Sequence, residues 1–326
     1  MSENNNVLNN LLYDTFLEKL EDKCPKGKSL AQSLMDLLGT EEGATYRRLR
    51  KDTLFPFNEI LKISAAWNIS IDEIMGIASD KINFQMSPIN FYNPQKEDFG
   101  YMQELVDALN SCKDDSTSEC IEICNKLPRS LLVKFPLLGK FYLHKWLHQH
   151  SEKHKNILFS QITIPEAMGK VIDDFTIAIR KIKEVDYIFD KFLFNYIVED
   201  IRHIHEIELI TDAEKELLKN DLLALLDYLL GVANTGVFPE ANNKVNFYVS
   251  HINLDASYSY FGINDFYLFR IHALDEHELK NYDKKTVLEL KKILELKKDS
   301  TFKISSENAK SRIKYFAEQR EIINRL

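Results

Sequence analysis

Cysteine and glycine are scarce in this chain and an excess of basic residues is absent: its 326 residues include four cysteines, ten glycines and 42 Lys plus Arg against 50 Asp plus Glu. Cys24, Cys112, Cys120 and Cys124 are too few and too unevenly spread for a disulfide-stapled scaffold, and read as reduced structural thiols. A formal net charge of -8 excludes general coating of nucleic acid, so any DNA contact has to come from a local patch. The longest apolar stretch, residues 222–233, is interrupted by Asp227 and falls far short of the roughly 20 residues that a membrane helix needs. The opening MSENNN lacks the basic-then-apolar layout of a secretory leader. A cytoplasmic protein with no membrane contact is expected.

Motifs of familiar chemistry are missing too. None of G-x-G-x-x-G, G-x-x-x-x-G-K-[ST], G-x-S-x-G or H-E-x-x-H occurs, which removes the usual phosphate-cradling loop, nucleophile elbow and zinc-protease helix. His144 and His148 are four apart and face one way on a helix, but FPLLGKFYLHKWLHQH is better explained as an amphipathic core helix with these histidines at its rim. Cys120 and Cys124, read as one helix face, lack the remaining ligands of a zinc site. No catalytic residue, metal ligand or cofactor is assigned.

What is present is helical periodicity. Five short amphipathic segments fill residues 1–78, a stretch rich in Asn, Pro, Ser and Gln over 79–98 reads as a linker, and residues 99–326 form a larger domain. That domain reads as helical to about Gly236, and residues 244–274, dense in Val, Ile, Tyr and Phe, read as two or three strands of a meander. The fold expected is therefore mainly α: an N-terminal five-helix bundle, a linker, and a helical C-terminal domain with a small antiparallel β-meander. The aromatics there, Phe247 to Phe269, either bury half their number on one sheet face or line a ligand pocket, with Ser305 and Ser306 presenting a helix start to an anion.

Within the first segment, Ser29 is placed to cap a helix over Leu30–Leu38 that stops at Gly39, and Thr40 to cap the next. If Tyr46 and Leu49 point inward, a turn of about 100° per residue puts Ala44, Arg47, Arg48 and Lys51 on one outer face. Arginine suits the paired acceptors of guanine, and a small residue such as Ala44 admits close approach. Arg50, Lys51, Lys26 and Lys28 suit phosphates. Helix, tight turn, basic helix and a further amphipathic helix is the order of a helix-turn-helix domain.

The run SLMDLLGTEEGATYRRLRKDTLFPFNEILKISAAWNISIDEIMG resembles the BetR-type branch of phage-repressor-like bacterial regulators. Leu34, Leu37, Leu38, Tyr46, Arg47, Arg48, Leu49, Leu61, Ile69, Ser70 and Ile74 carry the likeness, over residues 29–77. The chain departs from the family pattern where Thr45 separates Ala44 from Tyr46, and at Lys51, where the family tends to have glycine. The resemblance implies a helix-turn-helix that binds double-stranded DNA. The expected contact set is Ala44, Thr45, Arg47, Arg48, Arg50, Lys51 and Lys28.

The resulting expectation is a DNA-binding transcriptional regulator, acting as a homodimer on paired half-sites, whose larger domain dimerises or senses an effector ligand or protein. The alternative is a protein- or peptide-binding adaptor whose N-terminal bundle does not bind DNA, a reading favoured by the acidic total charge.

Overall fold

The computed structural model describes residues 2–25, 27–67, 69–78, 82–86, 100–110, 115–132, 134–241, 243–273, 277–306 and 308–326. The chain divides into two units, Met1–Asn83 and Phe84–Leu326. Most of the expected linker, together with Cys112 and Lys26, lies outside the described residues.

The first unit is built from α1 (Ser2–Lys23), α2 (Leu30–Leu38), α3 (Glu42–Leu49), α4 (Phe57–Trp67) and α5 (Ile71–Ala78). Phe16 and Leu20 of α1, Leu34 of α2, Ile63 of α4 and Ile74 of α5 meet Phe55 and Ile69 in one apolar core. The Ser29 hydroxyl accepts the Gln32 N–H at 3.2 Å and caps α2. At the other end Gly39 takes φ 68 and donates its N–H to the Met35 carbonyl at 2.8 Å. Glycine reaches this left-handed conformation without the Cβ clash that other residues meet, and so can end a helix and redirect the chain at once. Only Gly39, Thr40 and Glu41 then separate α2 from α3. Thr40 does not cap α3 as expected; its hydroxyl instead hydrogen-bonds the Thr45 hydroxyl at 2.9 Å, and Glu41, at the N-cap, makes no side-chain cap.

The second unit corrects the expectation of a mainly helical, all-alpha chain with a small meander: it is an α/β fold around an eight-stranded mixed sheet. The strands are β1 (Gln85–Met86), β2 (Glu119–Cys124), β3 (Glu184–Asp190), β4 (Lys244–Ser250), β5 (Ser257–Ile263), β6 (Phe266–Ala273), β7 (His277–Asn281) and β8 (Phe302–Lys303). Their order is β1-β7-β6-β5-β2-β3-β4-β8. β2, β3 and β4 run parallel, and every other pairing is antiparallel. The meander is β5-β6-β7, while β4, expected within it, pairs with β3 instead.

Parallel strands need long crossovers, here helical. Between β2 and β3 lie α7 (Arg129–Leu132), α8 (Pro136–His150) and α9 (Glu166–Ile179); between β3 and β4 lie α10 (Leu193–Glu206) and α11 (Asp212–Thr235). With α6 (Gly100–Asn110) and α13 (Ala309–Asn324) they bury one sheet face through Cys120, Val185, Tyr187, Phe189, Val245, Phe247 and Phe261. The opposite face, with Ile121, Ile123, Ile188, Tyr260 and Phe269, is covered by Val287, Leu290 and Leu294 of α12 (Lys284–Asp299). Two ion pairs fix α12 in register: Lys291 with Glu119 at 2.5 Å and Lys298 with Asp186 at 2.8 Å. No helix among the described residues is long and apolar enough to cross a membrane.

Candidate functional site

In the first unit, α3 is rotated by about one position, roughly 100°, from the expected orientation. Thr45 is fully buried, its hydroxyl on Thr40 and the Glu41 carbonyl, whereas Tyr46, expected inside, is 42% exposed. The outer face is therefore Gly43, Tyr46, Arg47 and Arg50, at the i, i+3, i+4 and i+7 spacing. Ala44 is half-buried. Arg48 turns inward: its guanidinium pairs with Glu59 at 2.9 Å, both side chains only about 15% exposed, and lies 5.6 Å from the Phe55 ring centroid.

The remaining expected contacts sit at the surface. Arg50 pairs with Asp52 at 3.2 Å and Lys28 with Asp36 at 2.6 Å, both pairs well exposed. Lys51 follows the end of α3 at φ 64 and pairs with Asp14 of α1. Of the expected set, then, Arg47, Arg50, Lys51 and Lys28 are each exposed, while Thr45 and Arg48 belong to the interior side of the helix.

The second unit holds a site that sequence reasoning missed. Register places Glu122 of β2 opposite Ser259 of β5, Ser259 opposite Arg270 of β6, and Arg270 opposite Lys280 of β7. The next row joins Ser257, His272 and Glu278. All share the sheet face of Cys120 and Phe261, opposite the one that α12 covers, and Glu122, Ser259, Arg270, Glu278 and Lys280 are buried. Charges this deep require partners. Arg270 Nη1 donates to Glu278 Oε1 at 3.1 Å, while Nη2 lies 3.7 Å from Glu122 Oε1. Lys280 is 3.8 Å from Glu278, and His272 Nε2 shares a hydrogen bond with the Ser259 hydroxyl at 3.2 Å.

These surroundings pull the titrations apart. Burial pushes Glu122 up to about 7 despite Arg270 beside it. For Glu278 burial acts in the same upward direction, but Arg270, His272 and Lys280 outweigh it and hold the carboxyl below its usual value. Burial, reinforced by the charges of Arg270, Lys126 and Arg129, drives His272 down to about 3. Lys280 falls to about 8, through burial first, with Glu278 pulling the other way and Arg270 adding to the fall.

The cluster walls a cavity of about 70 Å³ beneath the loop that follows β2, at the carboxyl end of that parallel strand. Open α/β sheets bind ligands at this edge. A larger crevice of about 410 Å³, with Asn125, Lys145, Tyr196 and Asp255 in its walls, shares Lys126, Tyr142 and His272 with the cavity. An apolar hollow of about 280 Å³, walled by Trp146, Met168 and Ile172, shares Arg129 and Tyr142.

The signal that was legible in sequence is the alternation in FYLFRIHA, where Arg270 and His272 fall on the face of Leu268. Other candidate groups are absorbed by structure. His144 and His148 are bound to the Ile157 and Lys155 carbonyls at 2.7 and 2.5 Å. Cys120 and Cys124, read as one helix face, are on strand β2 and buried. Ser305 is buried with its hydroxyl accepting the Phe247 N–H, and α13 is capped by Asn308 instead of Ser305 or Ser306. Of the aromatics expected to bury half their number on one sheet face, Phe247 and Phe261 pack on one face and Tyr260 and Phe269 on the other. Among the described residues no three His, Cys, Asp or Glu side chains are grouped to hold a metal ion.

Comparison with family models, curated proteins and solved structures gives no match for this chain.

Proposed function

We propose that the chain is a DNA-binding transcriptional regulator that acts by binding and not by catalysis. Its first unit reads duplex DNA through α3, and its second unit dimerises or senses a signal, in the cytoplasm. The supporting observation is the joint between α2 and α3: three residues with Gly39 left-handed, followed by a helix presenting Gly43, Tyr46, Arg47 and Arg50 outward. That is the connection a helix-turn-helix uses, and the second helix of such a pair enters the major groove. On this reading Arg47 and Arg50 reach bases or phosphates, Lys51 and Lys28 flank them on phosphates, and Arg48 braces the helix from behind. This also assigns the BetR-type resemblance its role.

Residues 1–83 contain ten Lys/Arg against thirteen Asp/Glu, a formal charge of -3. Long-range attraction to DNA is therefore weak, and one copy binds poorly; two copies on half-sites about 34–36 Å apart compensate. Mobility shift with fragments flanking the protein's own gene tests the reading. A specific complex lost in an Arg47→Ala, Arg50→Ala double variant is expected, and an unchanged complex overturns it.

The adaptor reading is favoured by one observation, the exposure of Leu54, Phe57 and Leu61 at 64%, 69% and 46% around the start of α4. Exposed apolar clusters mark protein contacts. A stable protein partner lost on Phe57→Ser, with no DNA retained, supports that alternative.

A further inference from the structure

The apolar hollow differs in character from the polar cluster beside it. Its walls come from three helices: Leu132 from α7, Leu143 and Trp146 from α8, and Met168 and Ile172 from α9. Ile164 and Pro165, just before α9, join them. Leu143, Trp146 and Met168 are buried in a small core of their own, separate from the larger one against the sheet.

We propose that this hollow binds an uncharged aromatic molecule of two fused rings. The inference deepens the sensing half of the function proposed above, since it names the class of signal.

Size, lining and edge each argue for this class. An apolar protein cavity of about 150 Å³ takes up benzene. The hollow, at about 280 Å³, holds nearly twice that and admits a second ring. Trp146 and Tyr142 offer ring surfaces and Met168 a thioether, all groups that aromatic rings favour as neighbours. The Tyr142 hydroxyl is engaged by the Leu127 backbone, which fixes the ring in the wall. A rigid bicycle also gives up fewer rotamers on binding than a flexible chain of the same volume. The charged side chains at the hollow are Arg129, Glu166 and Asp173. An organic acid would meet two carboxylates against one guanidinium. Glu166 and Asp173 are exposed, so they add little attraction for a cation, and an uncharged ligand leaves their hydration intact.

Glycine keeps the space open from two sides. Gly139 of α8 and Gly169 of α9 both line the hollow, within helices that glycine weakens. Glycine suits a helix where a neighbour presses close. Here a Cβ at Gly139 meets nothing within 4 Å, and one at Gly169 meets only Ile164 Cγ2, at 4.0 Å. Close packing accounts for neither glycine. What both preserve is volume.

Isothermal calorimetry on the full chain, without DNA, tests this with 2-naphthol and with naphthalene-2-carboxylate, an acid of similar shape. One equivalent of 2-naphthol is expected to bind with a Kd below about 100 μM, and the carboxylate at least tenfold more weakly. Gly139→Leu and Gly169→Leu fill the hollow from opposite walls. Each is expected to weaken 2-naphthol binding tenfold or more while melting no lower than the wild type, because a helical leucine replaces glycine and occupies open space. No binding of 2-naphthol up to about 1 mM, binding of the carboxylate as tight as that of 2-naphthol, or binding that neither variant alters overturns the proposal. Because no DNA is present, failure here leaves the DNA-binding reading standing, and failure of the shift assay leaves this one.

Discussion

Arg48 and Glu59 bind each other at 2.9 Å between α3 and α4, with side chains 15% and 14% exposed and the Phe55 ring beneath the guanidinium. A pair this sheltered orients α3 and is costly to break from one side, since the remaining charge is left without its partner. Arg48→Ala is expected to lower stability by about 2 kcal/mol in urea melts. Replacing both partners, Arg48→Met with Glu59→Met, is expected to recover at least half of that loss. An Arg48→Ala variant as stable as the wild type refutes this bracing role.

Arg47 and Arg50 predict the opposite pattern. Both are exposed, and Arg50 has only a surface pair with Asp52, a type worth less than about 1 kcal/mol. Each alanine variant is expected to melt like the wild type while flattening the dependence of DNA affinity on log salt by about one charge if the side chain meets a phosphate. If it reads a base, the loss is about 1–3 kcal/mol and confined to the specific site. Variants that lose stability and leave DNA affinity unchanged contradict the outward placement.

Gly39 and Gly43, four residues apart, are expected to respond to alanine with opposite signs. Gly39 sits at φ 68, where a side chain meets no neighbour but strains the backbone, so Gly39→Ala costs about 1 kcal/mol. Gly43 is helical with open space around its missing Cβ, so Gly43→Ala adds about 0.5–1 kcal/mol through helix propensity. Chemical denaturation of the two variants measures both. On the proposed DNA-facing side the added methyl at Gly43 is also expected to weaken DNA binding, separating stability from function.

The first unit was largely legible because its signals are local. Ser29, Gly39 and the apolar stripe of α2 act within one helix turn of each other, and periodicity reads such features directly. The orientation of α3 was not, because Thr45 is buried by a hydroxyl pair with Thr40 while the larger Tyr46 faces out, the reverse of the apolar ranking. In the second unit, ECIEIC and EVDYIFD hide two central strands. They are buried on both faces, yet carry Glu122 and Asp186 where an apolar run is expected, so neither a continuous nor an alternating pattern stands out. The polar cluster is assembled by register between strands up to 158 positions apart, from Glu122 to Lys280, and no window of sequence contains it.

Glu122 gives the cluster a pH signature. Its carboxyl titrates near 7 in the folded chain against 4.5 in its ordinary state, so the folded protein holds the proton more tightly than the unfolded one. Stability attached to that proton is complete at low pH and is lost as pH rises from 4.5 through about 7. His272 has the opposite slope, with stability lost as pH falls below 6.5, and so partly masks the effect in the wild type alone. The difference between wild type and Glu122→Gln isolates it, because His272 is common to both. From about pH 5 to about pH 8 the Gln variant is expected to gain on the order of 2–3 kcal/mol relative to wild type. Melting curves at the two ends decide: a difference that does not grow with pH places the Glu122 proton elsewhere than in this buried site.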